Sequence, residues 1–249
     1  MSAPVLETRG LAKAFGGVQA VAGVDLTMPR GEIRALIGPN GAGKTTFFNM
    51  LTGQLKADAG EVRFKGERLS GLPPYRVWRR GVSRTFQITA TFASLTALEN
   101  VQVARLSHTR RTYALLARAA GLEVGPARAL LAQVGLEGQA GRPAGVLAYG
   151  DLKKLELAVA LANDPEVLLL DEPTAGMAPA ERGALMALTE RIARERSLTV
   201  LFTEHDMDVV FSVADRIMVL HQGRVIAEGD PAAVRADIEV QRVYLGEGE

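Results

Sequence analysis

Apolar residues recur along this chain in two alternating patterns. Short apolar runs bounded by glycine or proline predict β-strands, whereas longer stretches with apolar residues on one face predict helices. The predicted strands are Val5–Ala14, Val18–Met28, Ile33–Ile37, Gly60–Gly66, Val167–Leu170, Leu198–Thr203 and Arg216–Leu220. The predicted helices are Thr46–Leu51, Pro73–Arg80, Leu152–Ala162, Pro179–Glu195 and Met207–Ala214, with further helix starts at Thr96 and Pro126.

Strands that alternate with helices predict an α/β fold whose sheet is largely parallel and whose crossovers are right-handed. The alternation is interrupted over residues 88–163, where Ala, Leu and Arg dominate and helices are expected. We therefore expect one domain, with an α/β core from residues 1–87 and 164–249, a helical insertion at 88–163 and a short helical extension at 231–249.

Composition narrows the class of protein. The chain has 249 residues, a formal net charge of +1 and no cysteine. The small net charge gives no global field towards nucleic acid, and the lack of cysteine excludes disulfides and thiol metal sites. No segment is apolar enough to span a bilayer, and the first residues do not form a signal peptide. We expect a protein of a reducing compartment that reaches any membrane through partners.

A glycine-rich loop between the third strand and the following helix is the strongest chemical signal. Its residues are Gly38, Pro39, Asn40, Gly41, Ala42, Gly43, Lys44, Thr45 and Thr46. In a strand–loop–helix context such a loop curls so that backbone N–H groups converge on nucleotide phosphates. Lys44 adds a full positive charge and the Thr45 hydroxyl is a ligand for Mg²⁺. The flanking strand and helix make a chance match to this pattern a poor explanation.

Two carboxylates, Asp171 and Glu172, end the buried strand that starts at Val167. Strands often end in Asp, so these two carboxylates indicate a nucleotide site only because the chain also has a phosphate-binding loop. There, Asp171 is expected to support the Mg²⁺ ion and Glu172 to orient or deprotonate the attacking water.

Four further positions carry weak signals that have ordinary explanations. His205 follows the strand Leu198–Thr203 and should emerge at the same sheet edge; alone, it would be a loop histidine. Gln87 could coordinate Mg²⁺ or water but could equally be a surface glutamine. Phe15 could stack on a purine ring or belong to the core. The segment Leu147–Asp151 begins a helix whose N–H groups could face an anion.

Arginines cluster near Arg76, Arg79, Arg80 and Arg84, and again at Arg105–Arg118. Solvated helix faces explain such runs in most proteins. The alternative is a surface near lipid head groups or near an acidic patch of a partner.

Taken together, these segments resemble the ATP-binding cassettes of ABC transporters, over essentially the whole chain. The matching segments are Phe15 (A-loop), 38–46 (Walker A), Gln87 (Q-loop), 147–151 (signature), 167–172 (Walker B) and His205 (switch histidine). Finer features are similar to the ATP-binding subunits of branched-chain amino-acid importers. These are Arg84–Gln87, the Leu-Ala-Tyr-Gly form of the signature, Glu204–Met207 and the ending Tyr244–Glu247.

The resemblance implies a P-loop NTPase fold of the ABC type, with an antiparallel β subdomain and a helical signature subdomain. It implies ATP and Mg²⁺ as ligands and a dimer of two ATPase subunits, each ATP lying between one subunit's Lys44 loop and the other's Ala148 and Gly150. It further implies two membrane permeases, an external solute-binding protein and a place at the cytoplasmic face of the inner membrane. In that family His205 contacts the γ-phosphate, and the Gln87 segment with the following helices receives the permease.

Three positions depart from the family pattern. Ala148 stands where the signature usually has serine, Asp151 where it usually has glutamine, and Ala178 where the next loop usually has aspartate. We therefore expect contact across the dimer to rely on the Gly150 N–H and the helix dipole.

Three other functions remain open at this stage. The same motor could serve amides, urea or another small solute, because the ATPase does not touch the solute. A soluble ABC ATPase acting on DNA or ribosomes is disfavoured by the single cassette and near-zero charge. A degenerate regulatory module is disfavoured by Lys44, Asp171, Glu172 and His205.

Overall fold

The computed structural model describes residues 4–85, 91–109 and 121–245. The strands are β1 (Leu6–Phe15), β2 (Val18–Met28), β3 (Ile33–Ile37), β4 (Ala59–Phe64), β5 (Glu67–Arg68), β6 (Val82–Thr85), β7 (Val167–Asp171), β8 (Thr199–Thr203), β9 (Arg216–His221) and β10 (Arg224–Gly229). The helices are α1 (Lys44–Leu51), α2 (Pro74–Arg79), α3 (Ala97–His108), α4 (Val124–Gln133), α5 (Tyr149–Ala160), α6 (Pro179–Arg196), α7 (Met207–Val213), α8 (Pro231–Ala236) and α9 (Ile238–Leu245).

The strands form two sheets. The larger has six strands in the order β10-β9-β3-β8-β7-β6, parallel from β9 to β6, with β10 antiparallel at one edge. The smaller is antiparallel, in the order β2-β1-β4-β5. The predicted α/β class, parallel core and antiparallel β portion are therefore confirmed.

Successive residues of the parallel strands feed two separate cores, because side chains of a strand point alternately to opposite faces. In β3, Ile33, Ala35 and Ile37 enter a core covered by α3–α7, while Leu36 enters the opposite core. Phe47 and Phe48 of α1 lie in that second core with residues of the smaller sheet. Every residue of β3, β7 and β8 is buried, so these strands form a rigid base for the loops that follow them.

Several boundaries differ from the sequence expectation. Pro126 was expected to begin a helix, but α4 begins at Val124 after Glu123, whose φ is 57°. The predicted tail helix is divided at Asp237 into α8 and α9. The predicted helix start at Thr96 is confirmed by a capping box, in which the Thr96 hydroxyl accepts from the Glu99 N–H and Glu99 accepts from the Thr96 N–H.

Between β6 and β7 the regular elements of the described ranges are all helical or 3-10. Whether residues 88–163 form a subdomain of their own stays a prediction. In the described ranges, no helix is both long and apolar enough to cross a membrane.

Candidate active site

The loops that follow three neighbouring parallel strands meet at one edge of the larger sheet. The glycine-rich loop follows β3, Glu172 follows β7, and His205 follows β8. The carboxyl ends of parallel strands are where open α/β sheets bind ligands. The topology therefore brings together groups that lie far apart in the sequence.

The loop after β3 wraps around the N-terminus of α1 and forms a cleft of about 190 Å³. The cleft is lined by Ala20, Asn40, Gly41, Ala42, Gly43, Lys44, Thr45, Thr46 and Glu172. Gly43 caps α1 in a left-handed conformation with a φ of 106°. The free N–H groups of the first helical turn and the helix dipole make this an anion-binding cleft.

Lys44 is buried beneath this cleft and bonds to its own loop. Its Nζ donates to the carbonyl oxygens of Gly38 at 2.6 Å and of Pro39 at 3.1 Å. Burial lowers the pKa of Lys44 below its usual value, although the nearby charges of Glu172 and Asp171 oppose the shift. The cleft thus has a desolvated cation with two weak neutral acceptors, which an anion of higher charge can replace.

Asp171 is 4% exposed at the end of β7, and both of its carboxylate oxygens accept hydrogen bonds. Oδ1 accepts from the Thr203 hydroxyl at 2.9 Å, and Oδ2 accepts from Arg84 Nη2 at 2.7 Å. The carboxylate is therefore fixed by two partners on the neighbouring strands β8 and β6.

Glu172 and His205 are in direct contact. The distance from His205 Nε2 to Glu172 Oε1 is 2.8 Å. The backbone of Glu172 adopts a left-handed conformation with φ of 49°, and its N–H donates to Thr203. Non-glycine residues rarely adopt this conformation, and such strain is concentrated at functional sites.

A buried contact between the two loops supports this arrangement. Glu204 is 5% exposed, and its Oε1 accepts from both the N–H and the hydroxyl of Thr174, the latter at 2.6 Å. The loops after β7 and β8 are therefore joined beside the Glu172–His205 contact.

Three other predicted positions lie elsewhere. Of the described residues that line the cleft, none is Phe15, Ala148 or Gly150. Phe15 is 49% exposed at the end of β1, and Ala148 is the N-cap of α5 without a side-chain cap. Gln87 lies outside the described residues.

Sequence reasoning missed Arg84, Thr203 and Glu204. The arginine pattern predicted that Arg84 belongs to a solvated helix face, or to a surface near lipid head groups or a partner's acidic patch. The solvated helix face is wrong, because Arg84 lies on β6 with its side chain 6% exposed. Neighbouring residues of β6 face opposite sides of the sheet, so the run of arginines does not share one face. The partner of Arg84, Asp171, is distant in the sequence and could not be identified from spacing. Thr203 and Glu204 are polar residues at the end of a fully buried strand, which is a signal that could have found them.

A divalent ion fits this site only together with phosphate. Within the described ranges, no group of three or more His, Cys, Asp or Glu side chains could hold a metal. The Thr45 hydroxyl and the Asp171 carboxylate are hard oxygen ligands of the kind that Mg²⁺ accepts alongside nucleotide phosphates.

Comparisons with known proteins agree with this geometry. The ABC transporter family model matches residues 21–175, and a model of branched-chain amino acid ATP-binding cassette transporters matches residues 224–249. The chain is 42% identical to the high-affinity branched-chain amino acid transport ATP-binding protein BraF of Pseudomonas aeruginosa, covering 99% of this chain and all of the relative. It is 41% identical to LivG of Escherichia coli, a protein of the same description, with the same coverage.

Solved structures with the same fold include a nucleotide-free ATP-binding cassette from an ABC transporter. It has a TM-score of 0.86 and 30% identity, covering 97% of this chain and 98% of that one. An ATP-binding cassette in its ADP conformation has a TM-score of 0.85 and 30% identity, covering 98% of this chain and all of that one. The chain therefore belongs to the ATP-binding cassettes of ABC transporters, in the group whose named members act in branched-chain amino acid transport.

Proposed function

We propose that this protein is the ATP-hydrolysing motor subunit of an importer for branched-chain or related hydrophobic amino acids. The observation that carries the proposal is the convergence of the Lys44 loop, Asp171 and the Glu172–His205 pair at one sheet edge. The similarity to BraF and LivG supports the solute class.

The phosphates of ATP would bind in the cleft over α1. The loop N–H groups and the helix dipole would bind the phosphate oxygens, and Lys44 would exchange the carbonyls of Gly38 and Pro39 for them. Thr45, Asp171 and Gln87 would hold Mg²⁺, which when bound neutralises charge on the transferring phosphoryl group.

Hydrolysis requires a water in line with the γ-phosphate. Glu172 would accept a proton from this water as its oxygen forms a bond to phosphorus, while the bond to the leaving ADP oxygen breaks. His205 Nε2, which lies 2.8 Å from Glu172 Oε1, would hold that carboxylate before ATP binds and would donate to the γ-phosphate once ATP is bound. Glu172 and His205 follow strands whose positions the sheet fixes, so orienting their side chains towards the phosphate costs little entropy.

The second half of each nucleotide site would come from another ATPase subunit. Ala148 and Gly150 lie at the N-terminus of α5, outside the lining of their own cleft, and no side chain caps this helix start. The N–H groups of its first turn would bind a partner's nucleotide. Phe15 would stack on the adenine ring. Neither half-site is complete alone, so closing the dimer would couple ATP binding to movement of the permeases.

The surface expected to receive a permease is a groove of about 360 Å³ beside β6 and α3. Its lining includes Tyr75, Trp78, Phe92 and Val103. Tyr75 is 53% exposed and Phe92 is 57% exposed. Exposed aromatic side chains around a concave apolar surface are typical of protein interfaces. Through this groove the protein would bind one permease at the cytoplasmic face of the membrane. The second ATPase subunit would bind the second permease, and a solute-binding protein would lie on the other side.

The proposal is tested with Glu172→Gln in the reconstituted transporter, and Glu195→Gln on the exposed face of α6 is the matched control. Glu172→Gln should retain ATP but lower phosphate release by about a hundredfold or more. Unchanged ATP turnover in Glu172→Gln would show that Glu172 does not accept the proton of the attacking water.

The solute class is tested separately in the unmodified transporter. ATPase activity and uptake of labelled leucine should both rise when the cognate binding protein carries a branched-chain amino acid. Stimulation by an amide or urea instead would move the protein to the alternative importer class.

A further inference from the structure

Arg84 has a buried side chain that the proposed chemistry does not use. Its guanidinium lies between the last residue of β7 and the helix that follows the glycine-rich loop. On one side, Nη2 donates to Asp171 Oδ2 at 2.7 Å, and the exposed fractions of the two side chains are 6% and 4%. This is a direct contact with a carboxylate assigned to the metal.

On the other side, the same guanidinium contacts α1. Nη1 donates to Asn49 Oδ1 at 2.7 Å, and it is 3.2 Å from Gln54 Oε1. The guanidinium carbon lies 5.5 Å from the centre of the Phe48 ring. Asn49 is one helical turn after Thr45, so the two residues share a face of α1.

We propose that Arg84 is a positioning residue that fixes the distance between the two metal-holding groups, Thr45 on α1 and Asp171 on β7. The inference rests on the proposed function, in which these two groups hold Mg²⁺ with ATP. A planar guanidinium has donors on both sides in a rigid fork, so it can join two acceptors at a set separation. A lysine has one flexible ammonium and cannot reproduce this geometry.

Charge supports the same role. Removing the guanidinium would leave Asp171 buried without its cation, and an unpaired buried carboxylate moves or repacks. The Thr203 hydroxyl alone would then hold it. A group that orients a metal ligand strongly affects the affinity of the site for the metal. Loss of the Arg84 contact with Asp171 should therefore lower the affinity for Mg²⁺.

Arg84 also lines the groove proposed for the permease, with Tyr75 and Trp78. A single side chain therefore lies between that groove and the carboxylate of the metal site.

The test uses the isolated full-length protein and a non-hydrolysable ATP analogue, titrated with Mg²⁺ and in excess EDTA. Arg84→Lys should weaken the apparent affinity for Mg²⁺ by about tenfold to a hundredfold. Affinity for the analogue in EDTA should stay within about twofold, because the contacts of Arg84 with Asp171, Asn49 and Gln54 involve residues outside the phosphate loop.

Arg34 offers a matched control. It is also a buried arginine, 2% exposed, that is paired with Glu32 and Glu228 away from the cleft. Arg34→Lys should lower thermal stability comparably and leave Mg²⁺ affinity unchanged. If the Arg84 variant does not fold, Asn49→Ala removes the hydrogen bond from Arg84 to α1, keeps the ion pair, and should still weaken Mg²⁺ binding several-fold.

Two results would overturn the inference. One is an unchanged Mg²⁺ affinity in folded Arg84→Lys, and the other is an equal loss in the Arg34 control. Failure of the proposed function would look different, because the unmodified protein would then bind the analogue without any dependence on Mg²⁺.

Discussion

Single residues at the site depend on backbone conformations that most side chains avoid. Gly43 has a φ of 106°, and a Cβ built there would lie 2.1 Å from the Ala20 carbonyl oxygen. Glu172 has a φ of 49°, although it is not glycine. Gly43 turns the chain into α1 directly before Lys44, and Glu172 turns the chain directly after the buried strand β7. Both conformations place a functional group at the edge of the sheet.

Gly43→Ala should abolish nucleotide binding and destabilise the protein by about 2–5 kcal/mol, because it adds backbone strain to a clash with backbone atoms. Gly41→Ala is the control. Gly41 has a φ of 79°, but a built Cβ there meets nothing within 4 Å. Gly41→Ala should lower the free energy of unfolding by about 1–2 kcal/mol, from backbone strain alone. Urea unfolding and binding of a fluorescent ATP analogue measure both variants, and equal losses would contradict the clash.

Residues of the site differ in how well the sequence could predict them. Lys44, Asp171, Glu172 and His205 follow apolar strands, so their meeting at one edge could be expected from topology. Arg84 could not be placed, because its run of arginines is typical of solvated helices and because its contact with Asp171 is long-range. The roles assigned to Phe15, Ala148 and Gly150 stay predictions, since they depend on a second subunit.

At the scale of elements, α5 and α6 each begin at an alanine N-cap, which supplies no side-chain hydrogen bond. Ala148 before α5 has φ and ψ of −60° and 151°, and Ala178 before α6 has −64° and 148°. These values suit an N-cap, but alanine has no oxygen to accept from the first turn. Both are positions where the family pattern has a polar residue.

Ala148→Ser should raise the free energy of unfolding by about 1 kcal/mol, because its hydroxyl can accept from an N–H of the first turn of α5. Ala178→Ser should give a similar gain for α6. Thr96→Ala, which removes the hydroxyl of an existing capping box, should lower stability by about the same amount. Urea unfolding of the isolated protein checks all three, and no gain at either alanine would contradict the capping argument.

Asp215 joins the starts of β3 and β9 to the end of α6. Its carboxylate accepts from Arg194 Nη2 at 2.7 Å, from Arg194 Nη1 at 2.9 Å and from the Ile33 N–H at 2.8 Å. Burial alone would raise the pKa of Asp215, but the hydrogen bonds from Arg194 and Ile33 outweigh it and lower the pKa below the usual value of 3.8.

The lowered pKa of Asp215 predicts a stability change with pH. Its stabilising contribution is fully present above the unfolded value and is lost as pH falls through the folded value. Asp215→Asn should therefore cost about 1 kcal/mol at pH 7, after allowance for its partial exposure, and progressively less below about pH 4. Urea unfolding across pH measures this. Glu137→Gln, an exposed carboxylate, should show no such difference, and a loss that is constant with pH would contradict the linkage.

Most elements could be predicted because fully buried parallel strands appear as short apolar runs. β5, β6 and β10 were missed. Three of the four residues of β6 are polar, so it does not appear as an apolar run. β5 contains Glu67 and Arg68 alone, both exposed, and β10 is an edge strand with partly exposed side chains. Their pairing is decided by the neighbouring strands β4 and β9 rather than by their own hydrophobic pattern.

At the scale of the whole molecule, the apolar groove is bordered by positive charge. The guanidinium groups of Arg76 and Arg79 lie 5.9 Å and 5.7 Å from the centre of the Tyr75 ring, and both side chains are exposed. Among the described residues that line the groove, Glu156 is the only acid. A permease segment with acidic residues at its edges would complement this surface.

Reversing both charges, Arg76→Glu with Arg79→Glu, should lower the affinity for the permeases by about tenfold or more. Nucleotide binding by the isolated subunit should not change. Arg224→Glu, on the exposed edge strand β10, is the control for charge reversal away from the groove. Co-purification from membranes measures assembly. Full assembly of the double variant would show that these arginines do not face the permease.

The bonds from Lys44 to its own loop make the arrival of nucleotide an exchange of partners. The ammonium would give up the carbonyls of Gly38 and Pro39 when phosphates enter, so part of the binding energy would be offset. When ADP departs, the same carbonyls would accept from the ammonium again. The loop therefore carries its own acceptors for the Lys44 ammonium, and these would offset part of the cost of releasing a phosphate-bearing product.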